Sequence, residues 1–267
     1  MPKKIIKYRV ERDALGTRKI PSAVYYGIQT LRASENFPIS GIMPKTSFIR
    51  ATAFVKYAAA SANMELGLLP KGKGRAIMRA AKEIIEGKFH DQFIVDVYQA
   101  GAGTSHNMNA NEVISNRAIE ILKGKKGDYK IIHPNDHVNM AQSTNDTFPT
   151  AMRLAALIET EGLLLSLTAL KRALRAKARK FDKIIKSART HLQDAVPITL
   201  GQEFSSYASA VENSIDRIKE ARAGLRNIGL GATAAGTGIN SHPAYAGKAL
   251  RALSKISGVK GLRKAPD

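Results

Sequence analysis

The chain has 267 residues, 44% of them hydrophobic, enough to bury a core in one or two domains. Cysteine is absent, which removes disulfides and thiolate metal sites and leads to the expectation of a reducing, cytoplasmic setting. The charged opening from Met1 to Val10 is not the apolar core of a secretory leader. A formal charge of +20 raises the question of nucleic acid, but tryptophan is absent and aromatics are only 6%. The basic stretches near the N-terminus, from Lys171 to Arg189 and from Lys260 to Lys264 also lack the interleaved rings of a base-stacking surface, so nucleic acid is not an expected partner. Nor is a membrane: the most apolar run, Leu163 to Leu170, falls well short of the roughly 20 residues of a span.

In chain order, the first fifty residues carry turn signals (Leu15-Gly16-Thr17, Ile20-Pro21, Phe37-Pro38, Met43-Pro44) and little period, so an irregular arm is expected. Helical spacing then runs from Ser47 to Leu69 and from Lys71 to Gly87, with Pro70 between them. A shorter helix is expected from about Asn109 to Leu122, stopped at Lys123-Gly124. From Asp146 an apolar stripe continues to Ile185; Leu163, Leu167, Leu170, Leu174, Ala178, Phe181 and Ile185 lie on one helix face. A helix of some forty residues is about 60 Å long at 1.5 Å per residue, too long for a compact core. A second stripe, Phe204, Ala208, Val211, Ile215, Ile218, Leu225 and Ile228, repeats the pattern, so two long helices are expected to pair within a bundle that other helices or other copies complete. No signal for a large sheet is present. The class is mostly α, with a helical N-terminal domain over 1–140 and the first part of a central helical bundle over 141–267.

Three polar clusters stand out against this background. Gly101-Ala102-Gly103-Thr104-Ser105 is a glycine-rich loop feeding a helix, without the pattern of a phosphate loop. Gln142-Ser143-Thr144-Asn145-Asp146 is expected to open the long helix, with Pro149 in its first turn, and offers more small polar groups than one cap needs. Thr190-His191 falls between the two long helices. Taken singly, each also reads as a helix cap or an ordered turn with a surface histidine. Hydroxyls and amides beside glycine or at helix mouths suit a small carboxylate.

Together the segments resemble a known family. Gly101 to Glu112, His133 to Pro149 and Ser187 to Glu203 are similar, in order and with compatible spacing, to conserved regions of the aspartase/fumarase superfamily of lyases. The resemblance extends from Val10 to Lys264 through Leu15-Gly16-Thr17-Arg18, Tyr25-Tyr26-Gly27, Asp91-Gln92-Phe93 and Gly229 to Asn240. It implies elimination of a small group from a succinyl skeleton to leave fumarate, through a carbanion whose charge passes to the neighbouring carboxylate as an aci-carboxylate. Such charge calls for preorganised donors. By resemblance, Thr104, Ser143 and Thr144 hold the β-carboxylate, Asn145 and His191 lie near the leaving group, and Thr190 helps bind the α-carboxylate. The segment with His133, Asn135 and Asp136 resembles a second anion site, and neither metal nor cofactor is implied.

Ser143-Thr144-Asn145 and Gly103-Thr104-Ser105-His106-Asn107 depart from the hydratase pattern and favour elimination of ammonia from L-aspartate. Asp146-Thr147-Phe148-Pro149-Thr150-Ala151-Met152 looks hydratase-like, which keeps hydration of fumarate as the alternative. Argininosuccinate and adenylosuccinate lyases fit the text poorly. The family's basic serine lies on a loop reading G-S-S-x-M-P-x-K-x-N, absent here; Met43-Pro44-Lys45 and Ser205-Ser206 are no substitute. The expectation is therefore the N-terminal portion of a lyase, inactive and prone to aggregate alone, whose complete form is a homotetramer with active sites shared between subunits. A non-catalytic interaction protein is the remaining reading.

Overall fold

In the computed structural model residues 6–101 and 103–266 are described; Lys3, Lys4, Ala102 and Asp267 lie outside them. By contacts the chain forms two compact units, residues 1–155 with 226–267 and residues 156–225.

The first unit opens with a hairpin where an irregular arm was expected. Strands β1 (Tyr8–Asp13) and β2 (Gly16–Pro21) pair antiparallel, with Arg9 opposite Ile20 and Glu11 opposite Arg18. The hairpin turns its charges inward: Glu11 is buried while Tyr8 and Val10 are exposed. Arg9 explains the inversion, because its guanidinium donates to the carbonyls of Pro21, Val24 and Tyr26 and pairs with Glu11 at 2.7 Å. Helix α1 (Ile28–Asn36) follows, and it too was not expected. Its free N–H groups are met from outside the helix. Glu112 accepts from the backbone of Gly27, Gln29 and Thr30 at 2.8, 2.9 and 3.0 Å, and Glu11 accepts from Ile28 at 2.9 Å.

Helices α2 (Thr46–Glu65), α3 (Lys71–Ile85) and α4 (Thr104–Ile121) form the core, α2 packing on α3 and α3 on α4. Ile49, Ala53, Ile77, Ile84, Val113, Ile114 and Ile119 interlock there, each at most 3% exposed. Fully burying an isoleucine of this kind stabilises by about 1.5–3 kcal/mol. α2 is alanine-rich and buried on nearly all sides because α7 (Tyr245–Ser257) covers it as well. α4 starts at Thr104, five residues before the periodicity becomes visible, since Asn107 and Asn109 are themselves buried. β5 (Asn227–Ile228) and β6 (Arg263–Lys264) pair parallel. The long helix α5 (Thr144–Lys180) begins in this unit, to Ala155. This division differs from a boundary at residue 140, because Asp146 bonds to the backbone of Gly231 and Thr233 and α7 packs on α2.

In the second unit, residues 156–180 of α5 and helix α6 (Leu200–Leu225) are joined by a hairpin of β3 (Ile185–Thr190) and β4 (Gln193–Thr199). The apolar stripe thus continues past the helix end at Lys180, and Ile185 is a strand residue, 78% exposed. Gly201 permits α6 to start against the end of α5: a Cβ there would sit 2.5 Å from Asp182 Cα and 2.6 Å from the Ala178 carbonyl oxygen. Lys171 and Arg175 pair with Glu212, and Arg222 with Glu161. Two helices leave much of the stripe uncovered; Leu163, Leu165 and Leu170 are exposed within this chain. No described helix is long and apolar enough to cross a membrane.

Candidate active site

In the first unit, Asn139, Ala141, Gln142, Ser143, Thr144, Thr233, Ala234 and Asn240 line an open cleft of about 410 Å³. Ser143 and Thr144 form its floor at the mouth of α5, with Asn145 next to them in the helix but not among the lining residues. Ser143 Oγ accepts from the Asn145 backbone N–H at 3.2 Å, while Asp146 Oδ1 accepts from the Ser143 N–H at 3.0 Å. This reciprocal pair is a capping box with aspartate in the acidic position. Pro149 lies inside the helix rather than in its first turn, where it cannot donate to the Asn145 carbonyl.

Asp146 does more than cap. Its other oxygen accepts from the backbone N–H groups of Gly231 and Thr233, both at 3.0 Å, which fastens the Gly229 to Asn240 segment beside the cluster. Burial raises its pKa, opposed by the three backbone donors and by Lys56. Asn145 adds a second tie, Nδ2 donating to the Ala234 carbonyl at 2.7 Å, which turns the amide oxygen of this exposed side chain away from that bond. Two non-glycine residues on the cleft wall, Ala141 (φ 58°) and Thr233 (φ 58°), hold left-handed backbone. For a β-branched residue that conformation is strained, and such strain gathers at ligand sites.

Behind the floor, Asn107 of α4 donates from Nδ2 to Thr144 Oγ1 and to Asn139 Oδ1, each at 3.2 Å. Ser143 and Thr144 therefore both serve the protein as acceptors. Each keeps its own hydroxyl proton to offer an anion in the cleft. α4 starts on Gly103, at φ 88°, where a Cβ would fall 2.0 Å from the Phe148 ring, and Gly103 lines a second pocket with Tyr98, Phe148 and Met152 rather than the cleft. Glycine, not an Asn or Ser side chain, caps this helix, and Thr104 follows as its first residue, exposed.

Thr190 and His191 occupy the tip of the β3–β4 hairpin in the second unit, both exposed. His191 and Leu192 have φ of 48° and 60°, the sign pattern of a type I′ turn. His133, Asn135 and Asp136 form a single tight turn apart from the residues lining the cleft. His133 Nδ1 accepts from the backbone N–H groups of Asn135 and Asp136 at 3.2 Å, and the His133 backbone N–H donates to His137 Nδ1 at 2.7 Å. Burial and Lys73, 3.0 Å away, lower the pKa of His137.

A family model described as "Lyase" matches residues 16–267. The chain belongs to this lyase family. Aspartate ammonia-lyase of Bacillus subtilis (strain 168) is 56% identical over 253 residues, covering 95% of this chain and 53% of that protein. A class II fumarate hydratase of Halobacterium salinarum (strain ATCC 700922 / JCM 11081 / NRC-1) is 50% identical over 253 residues, 94% of this chain and 54% of that one. A Brucella melitensis fumarate lyase:delta crystallin structure bound to cobalt superposes with a TM-score of 0.95 at 51% identity, over 98% of this chain and 57% of the other. The lyase chain thus spans about half the length of the curated relatives it matches. Aspartase and fumarase relatives together place it in the aspartase/fumarase superfamily, with the mostly helical fold expected.

Asn107, Gln142, Asp146 and Thr233 lie within segments that stood out in the sequence but were given no role there, and Asn139 was not named; Asp146 carried a further local signal, the Ser-x-x-Asp spacing of a capping box.

Proposed function

We propose that this chain supplies the carboxylate-binding part of an aspartate ammonia-lyase, which converts L-aspartate to fumarate and ammonium. One observation carries the reading: in a chain 56% identical to such an enzyme, the cleft floor presents two hydroxyls, Ser143 and Thr144, whose acceptor sides the protein itself already uses. As a base takes the C3 proton, charge moves onto the β-carboxylate. Donors fixed before the reaction stabilise that aci-carboxylate most, because they need no reorganisation. In this reading Ser143, Thr144 and Thr104 hold the β-carboxylate, and Asn145 accepts from the amino group through its amide oxygen. Thr190 binds the α-carboxylate and His191 stands by the departing ammonia, which leaves C2 as the double bond forms. The basic serine comes from a segment outside these 267 residues.

The complete enzyme is proposed to be a cytoplasmic homotetramer that brings hairpin and cleft residues of different subunits together, with residues 141–267 opening its central bundle. His133, Asn135 and Asp136 form its second anion site. The hydratase reading rests on the Halobacterium relative at 50% identity.

A chimaera joining the chain to the part of the Bacillus subtilis enzyme that it does not cover tests both. Fumarate formation from L-aspartate, with little from L-malate, is expected; the reverse preference would replace the proposal with a hydratase. The chain by itself is expected to form no fumarate from either.

A further inference from the structure

α2 carries one residue that its packing does not call for. Among the alanines of this largely buried helix, Lys56 is 0% exposed. Burying an ammonium costs far more than burying an apolar side chain of the same length, so its partners hold the reason for it. Lys56 Nζ donates to Asn139 Oδ1 at 2.8 Å and to Gln142 Oε1 at 2.9 Å, two residues of the cleft wall. Both amides are then spent within the same loop: Asn139 Nδ2 donates to the Gln142 carbonyl, and Gln142 Nε2 to the carbonyls of Val138 and Met140. Asn107 shares Asn139 Oδ1 with the lysine and passes the connection to Thr144 Oγ1. Thr147 completes the circuit, donating to the Ser143 carbonyl at 2.9 Å with Asn107 Oδ1 3.3 Å away.

We propose that Lys56 is a positioning residue for the carboxylate site, fixing the 139–144 loop through Asn139 and Gln142 and placing a buried positive charge behind the hydroxyls of Ser143 and Thr144. This rests on the anion-binding reading of the cleft and adds a group that touches no substrate. The charge matters as much as the bonds, because in a dry interior it favours a dianion over water more than an exposed lysine does. Burial brings Lys56 down to about 7, with Asp146 pulling the other way. The ionisable groups facing it are Asp146 from α5 and His106 from α4, the latter held neutral by burial down to about 3. From α7, Tyr245 faces Asp146. An occupied cleft therefore favours the charged lysine, and dianion affinity falls as pH rises through the neutral range.

Two measurements on Lys56→Met decide the matter. In the chain itself, amide exchange across 139–147 is expected to accelerate by roughly tenfold or more, the loss of hydrogen bonds to a charged group, with α3 unchanged. Unchanged exchange in that segment, or a uniform rise across α2, α3 and α7, overturns the proposal. In the chimaera, KM for L-aspartate is expected to rise roughly 10- to 100-fold while kcat shifts less. The rise of KM above about pH 7 should vanish with it. Wild-type KM and pH profile in an active Lys56→Met chimaera overturn the inference alone, whereas a wild-type chimaera inactive on both substrates counts against the functional reading and leaves the exchange result to decide Lys56. If Lys56→Met does not fold, Asn139→Ala breaks one of its two connections and is held to the same exchange and KM outcomes, the pH profile excepted because the lysine remains.

Discussion

The cleft loop and the hairpin tip carry the two halves of one proposed site, and their construction is opposite. Around Ser143 and Thr144 every backing group is buried or tied: Asp146 to three backbone donors, Asn107 to both Thr144 and Asn139. At the tip, Thr190 and His191 are exposed and Leu192 is 96% exposed. The ion pair flanking it, Arg189 with Asp194 at 3.5 Å, has both side chains more than 70% exposed and contributes about 0–1 kcal/mol. One half is preorganised by its own unit. The other places its side chains on an exposed two-residue turn with left-handed backbone at His191 and Leu192.

The contrast breaks most sharply at Asp146. Asp146→Ala removes the acceptor of three N–H groups at once, two of them buried and one half-buried, and unties Gly231 and Thr233 from it. Each unsatisfied group costs about 1–3 kcal/mol, so a loss of roughly 3–5 kcal/mol is expected after partial relaxation, read from urea unfolding of the chain. A loss below 1 kcal/mol would mean that the loop is not held by this carboxylate.

Glu112 sharpens the same point further from the cleft. Both its oxygens face N–H donors at the start of α1, and Thr30 Oγ1 adds a bond of 2.6 Å, so Glu112→Gln turns an amide NH2 toward one of them. The expected cost is about 1–3 kcal/mol. Burial raises the Glu112 pKa from 4.5 to about 6 despite these donors. A carboxyl raised on folding contributes stability that is complete below 4.5 and is lost as pH climbs through about 6. The gap between wild type and Glu112→Gln should therefore narrow from pH 4.5 to pH 6.5, and unfolding midpoints across that window check it.

How much of this was legible beforehand follows from where each signal lies. The stripes of α2, α3, α5 and α6 were readable because one apolar face repeats at helical spacing. The first hairpin was not, because its alternation is inverted: Arg9 and Glu11 turn inward to meet backbone carbonyls and the α1 N-terminus while Tyr8 and Val10 face out. The second was hidden by Ile184 and Ile185, which prolong the helical stripe beyond Lys180 and are exposed. In the cleft, Ser143 and Thr144 stood out as clustered hydroxyls. The groups that aim them did not, since a lone lysine among alanines 83 residues from Asn139, or an asparagine 37 residues from Thr144, becomes a partner only once the helices pack.

The smallest effect on stability is expected at the tip, where it says the most. His191→Ala removes an exposed imidazole for which a left-handed φ of 48° is a strain, and alanine inherits the same strain. His191→Asn substitutes a residue that tolerates this backbone better. Both variants should unfold within about 0.5 kcal/mol of wild type, the range for surface changes, with asparagine the more stable of the two. In the active chimaera, both are nonetheless expected to lower kcat by roughly 100-fold, the contribution of a positioned proton-transfer or leaving-group partner. Stability and activity would then separate at the tip. If His191→Ala instead unfolds the chain while activity survives in proportion to folded protein, the tip is a structural turn and only the cleft loop belongs to the site.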